Sequence, residues 1–71
     1  STGQLDQAAR SLENVQASHP GYPMACFKRA EIAAYRQEPG WEAWAQKAAS
    51  VSNPTSRKLM ANNSKLAPFI Q

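Results

Sequence analysis

Four proline-bearing breaks, His19-Pro20-Gly21, Pro39-Gly40, Asn53-Pro54 and Pro68, divide this chain into short segments. Proline has no N–H to donate and a fixed φ, so it cannot lie inside a regular helix or a central strand. Between the breaks, apolar residues recur every three or four positions and nowhere alternate over a strand's length, which is the helical period. Valine, isoleucine and threonine occur twice each while alanine is abundant. That balance favours helix over strand at almost every position.

The first segment, about residues 3 to 18, places Leu5, Ala8, Ala9, Leu12 and Val15 on one arc and Asp6, Arg10, Glu13 and Asn14 on the other side. Ser1 or Thr2 is positioned to cap its start. The second segment predicts a helix from about Pro23, where a missing N–H costs nothing, to Arg36. Cys26, Phe27, Ala30, Ala33 and Ala34 form one face, while Met24, Ile32 and Tyr35 point elsewhere. A helix apolar on more than one side is packed between neighbours, so this one is expected to be central. The third runs from about Trp41 to Val51, with Trp41, Trp44, Ala45, Ala48 and Val51 sharing a face. Asn53-Pro54 reads as an N-cap followed by proline at the first helical position. It opens a fourth helix that gathers Leu59, Met60, Leu66, Ala67 and Ile70 on one side until Pro68 ends it.

With 71 residues the chain is read as a single domain, possibly a piece of a longer protein. A chain of this size buries only about 60% of its unfolded surface, so its core is modest. No apolar run reaches the roughly 18 residues a membrane span needs. No signal peptide is visible, and a soluble chain is expected, with cytoplasmic and periplasmic locations both open. Cys26 is the single cysteine, which excludes an internal disulfide and a thiolate zinc cage. Net charge is +3, and all of the excess lies after residue 50, in Arg57, Lys58 and Lys65. Such an end suits an acidic partner, nucleic acid or a membrane surface.

Catalysis needs a base, a nucleophile or a metal held by partners. His19, the one histidine, stands at a helix end, where a favourable contact with the helix dipole is its expected role. Cys26 falls on the buried arc, where cysteine behaves as a small apolar residue. The five carboxylates do not cluster, and no phosphate loop or metal-ligand spacing occurs. The expectation is therefore a chain that is not an enzyme, with no catalytic residues, no metal and no cofactor.

Gly3, Ala8, Leu12, Val15 and Pro20 follow the order and intervals of the second half of a tetratricopeptide repeat. In that motif glycine permits the turn between helices, a small residue lets helices approach, and proline closes the unit. Pro20 and Pro54 are 34 residues apart, one repeat length, and Gly40 and Ala45 repeat the interval of Gly3 and Ala8. Over residues 3 to 54 the chain thus resembles tetratricopeptide-like helical repeats, and the fourth helix resembles the capping helix that ends such arrays. Trp44 departs from the pattern, being large where a small residue is usual.

The resemblance implies an all-α, antiparallel four-helix array of helix-turn-helix repeats that acts as a protein–protein interaction scaffold for a peptide or another domain. The expected contacts are Arg29 and Arg36, two helical turns apart and suited to carboxylates, with Trp41 as an anchor. A second reading is a small nucleic-acid-binding domain presenting the basic patch Arg57, Lys58 and Lys65 to phosphate. A third is a structural accessory domain of a multidomain enzyme. The sequence leaves the oligomeric state open.

Overall fold

One helix touches every other helix in the structure. A computed structural model describes residues 2–70, which form α1 (Thr2–Glu13), α2 (Tyr22–Arg36), α3 (Trp41–Ser50), α4 (Pro54–Ala61) and a 3-10 turn, Ala67–Phe69. The described residues contain no strand. Contacts join α2 to α1, α3 and α4, and the 3-10 turn packs on α3 and α4. The Cα radius of gyration is 11.2 Å, close to the roughly 11 Å of a compact chain of this length. No described helix is long and apolar enough to cross a membrane.

The central place of α2 follows from its composition. Ala25, Cys26, Phe27, Arg29, Ala30, Ala33 and Ala34 are buried along it. At 100° per residue they cover an arc of about 200°, more than a single neighbour can hide. Alanine at four of these positions lets neighbouring helices approach closely. The core is Cys26, Phe27, Ala30 and Ala34 of α2, Ala45 and Ala48 of α3, Met60 of α4, and Leu66 beyond it. Trp41, Trp44, Val51, Phe69 and Ile70 pack around this cluster. No described residue of α1 belongs to this cluster. In α1 only Ala9 is buried among the described side chains, with Leu5 and Leu12 half-buried. Ala8, expected to be the close-approach residue of that helix, is exposed, and its neighbour Ala9 takes the contact. The caps expected from Ser1 or the Thr2 side chain lie outside the described residues.

Two helices end sooner than periodicity predicts. α1 stops at Glu13 rather than near Ser18, because Asn14 and Val15 are poor helix formers and the Val15 N–H turns back to Leu12 C=O at 3.3 Å. His19 therefore sits in a later turn, where its Nδ1 accepts the Gly21 N–H at 2.8 Å, and not at a helix end. α4 begins as expected. Asn53 Oδ1 accepts the Ser56 N–H at 2.8 Å while Ser56 Oγ accepts the Asn53 N–H at 3.0 Å. This reciprocal capping box satisfies the fully buried Ser56. The helix then breaks at Asn62. Asn63 Oδ1 accepts the N–H groups of Lys65 (3.0 Å) and Leu66 (3.3 Å), offering the backbone an alternative to the helical ladder.

That break has a packing consequence. On a continuous helix Met60 and Leu66 would lie about 120° apart. The turn brings both into the core with no exposure, and Leu59, expected in the same apolar set, is left 39% exposed. Leu66→Ala should lower unfolding free energy by about 2–4 kcal/mol in urea denaturation, the usual cost of an emptied core site. Leu59→Ala should cost less than about 1 kcal/mol. Equal losses at the two positions would contradict the placement of the break.

Candidate functional site

Two features stand out around α2: a chain of ion pairs along one edge and an open groove over the side left bare. Arg29 and Arg36 lie two turns apart on the edge of α2 that faces α1. Their partners on α1, Glu13 and Asp6, are also seven residues apart. Arg29 Nε donates to Glu13 at 2.6 Å, and Arg36 Nη1 donates to Asp6 at 2.8 Å. Glu38, in the turn after α2, bridges the two arginines at 3.1 Å and 3.5 Å. The geometry of that turn makes the bridge possible. Gln37 takes a left-handed conformation (φ 54°), and the Glu38 N–H returns to Ala33 C=O at 3.0 Å. Glu38 is thereby folded back against α2.

Arg29 is the most buried member of this network, at 8% exposure. Its guanidinium carbon lies 4.8 Å from the Trp44 ring centroid on α3, a cation–π contact that covers the charge from the remaining side. Burial opposes its positive charge, but the hydrogen bonds and fields of Glu13 and Glu38 outweigh that cost, and its pKa is raised. A raised value means Arg29 contributes its full stabilisation below the pKa of free arginine and loses it only as pH rises through the still higher folded value. Between mild acid and mild alkali it is charged in both states, so geometry and salt govern the interaction. Nη1 is buried and has no hydrogen-bond partner. The guanidinium that the sequence offers to a partner's carboxylate thus meets two carboxylates of its own chain. Arg36 is likewise paired, though its side chain keeps 31% exposure. Trp41 is half-buried and packs edge-on against Phe69, with centroids 5.8 Å apart at 76°.

The basic residues after position 50 do not form one stripe. Lys58 is on α4, whereas Lys65 follows the break at Asn62, so no helix carries both. Arg57 donates to Ser52 Oγ at 3.2 Å and to Ile70 C=O at 2.9 Å, tying the chain end to the start of α4. No group of three His, Cys, Asp or Glu side chains among the described residues is arranged to hold a metal ion.

The groove lies across α2. Its α2 side is lined by the half-buried Glu31 and Ile32 and the buried Ala34, with the exposed Tyr35 at the rim. Leu5 of α1 forms one wall, and the turn Asn62, Asn63, Ser64 and Lys65 forms another. It encloses about 580 Å³ and is open to solvent, within the roughly 300–1,000 Å³ typical of ligand sites. Tyr35 is 78% exposed, the most exposed large apolar side chain described. Periodicity sets Ile32 and Tyr35 off the packed arc. Their flanking walls come from segments about thirty residues away on either side, which no local pattern reveals. No family model, curated protein or solved structure matches the chain, so the site stands on its own geometry.

The network predicts unequal roles for the two arginines. Lysine keeps the charge but lacks the planar fork that reaches Glu13 and Glu38 at once. Arg29→Lys should therefore cost about 1–3 kcal/mol in urea unfolding, while the more exposed Arg36→Lys should stay within about 1 kcal/mol. Indifference to Arg29→Lys would show that the buried fork contributes nothing beyond its charge.

Proposed function

We propose that this chain is a non-catalytic protein-interaction module that holds a peptide segment of a partner protein in the groove over α2. The observation that carries this reading is Tyr35: a large aromatic residue stands in solvent at the rim of an open groove lined by the half-buried Ile32. Exposed aromatic residues next to apolar surface are the side chains that dominate binding energy at protein interfaces. The arginine pair acts in this reading by positioning α1, and with it the Leu5 wall, rather than by touching the partner.

The finer architecture belongs to the same proposal. Asp6 pairs with Arg36 and Glu13 with Arg29, so increasing number along α1 meets decreasing number along α2. This register supports an antiparallel helix pair. Gly40 at positive φ (83°) before α3 and the fully buried Ala45 support the tetratricopeptide-like reading of the second turn and helix. Nucleic-acid binding is the weaker alternative, because Lys58 and Lys65 are divided by the break after α4 and Arg57 is engaged with the chain end.

A display library of short peptides selected against the full chain tests the proposal. Selected peptides should bind the parent protein in calorimetry and weaken by about tenfold or more against Tyr35→Ser, the loss of one interface anchor. The substituted chain should keep its helical circular dichroism. Failure to select any peptide, or equal affinity for Tyr35→Ser, would overturn the reading.

A further inference from the structure

The carboxylates of this chain are not treated alike by the fold. Asp6 and Glu38 are partly buried, and each is paired with arginine. Glu13, whose side chain is 41% exposed against 48% for Asp6, is paired as well, and Glu42 is in solvent. Glu31 is the exception. It is half-buried in the groove, yet among the described residues it makes neither an ion pair nor a side-chain hydrogen bond. On another part of the same groove, Lys65 is exposed and equally without an ion pair. Two opposite charges line one groove, and no described residue forms an ion pair with either.

We infer that the groove selects a short peptide segment with three features: a basic side chain for Glu31, an acidic side chain for Lys65, and an apolar side chain for Leu5, Ile32 and Tyr35. The inference rests on the proposed peptide-binding function and assigns its ligand chemistry. Charge complementarity is the argument. A partner's ammonium or guanidinium at Glu31 gives that carboxylate the charge-assisted hydrogen bond it lacks, and a carboxylate does the same for Lys65. The apolar surface supplies affinity, whereas the two charges set orientation and reject segments that place like charges there. A uniformly acidic or uniformly basic segment meets one attractive and one repulsive contact. The groove therefore favours a mixed-charge segment despite the chain's net charge of +3.

The test uses the full chain and a defined peptide set with a fixed central leucine or tyrosine. Lysine and glutamate flank it in both orders, and control peptides carry two glutamines, two lysines or two glutamates. One order of the mixed pair should bind about tenfold tighter than the glutamine control, the size expected of a charged contact in a partly desolvated site. Glu31→Gln should abolish the preference for lysine alone, and Lys65→Gln the preference for glutamate alone. The double reversal Glu31→Lys with Lys65→Glu should bind best the mixed-charge peptide of the opposite order. Amide shifts in ¹⁵N spectra at residues 31, 32, 35 and 65 report where each peptide sits and whether each variant is folded. Binding in the groove with no dependence on peptide charge would overturn this inference and leave the peptide-binding function standing. Absence of binding by every peptide would overturn both.

Discussion

The structure depends on the decision to bury one guanidinium. Arg29 is placed by the helical period of α2 between Ala25 and Ala33, on the arc that neighbouring elements cover. An arginine there must find carboxylates and a covering ring, or the helix cannot pack on that side. Glu13 arrives from α1, Glu38 from the turn behind α2, and Trp44 from α3. One side chain therefore fixes the approach of three separate parts of the chain. Breaking such a pair is costly because it leaves the surviving charge in a dry place, even where the intact pair adds little net stability. The geometry is thus enforced more by what its loss would expose than by what its formation gains.

That constraint divides the molecule into a core and an attached helix. The apolar cluster is built from α2, α3, α4 and Leu66, and α1 is docked against it through Ala9, two half-buried leucines and the Asp6 and Glu13 ion pairs. Exposed ion pairs are individually weak, and salt screens them. Here the buried end of the network, at Arg29, holds the more exposed end in register. The position of α1 matters beyond stability, because Leu5 is a wall of the groove. The same charged edge that closes one side of α2 shapes the open side next to it.

Much of this order is legible in the sequence, and the parts that are not have identifiable reasons. The buried arc of α2, its central place and the Asn53-Pro54 start of α4 follow from periodicity and capping chemistry, which act between residues close in sequence. The end of α4 is hidden because Asn63 competes for the backbone with its own side chain, a choice that the apolar pattern through Leu66 and Ile70 obscures. Arg29 and Arg36 are correctly placed on one edge by their spacing. Their partners are 16 and 30 residues away for α1, and Glu38 reaches Arg29 only because Gln37 adopts a left-handed turn. No local rule says that the carboxylates awaiting these arginines are internal. The groove is invisible for the same reason, since its floor and walls come from three separated segments.

The ion pairs to Arg29 and Arg36, added to the burial of Ala9, hold α1 and the groove wall it carries. Native-state hydrogen exchange on the parent chain and on Asp6→Asn with Glu13→Gln tests this most directly. Amides of Ala9, Arg10 and Leu12 should lose protection by about tenfold or more, while those of Ala30 in α2 and Ala48 in α3 change little, as expected for a separable unit of structure. Unchanged protection in α1, or an equal fall across α1, α2 and α3, would contradict it.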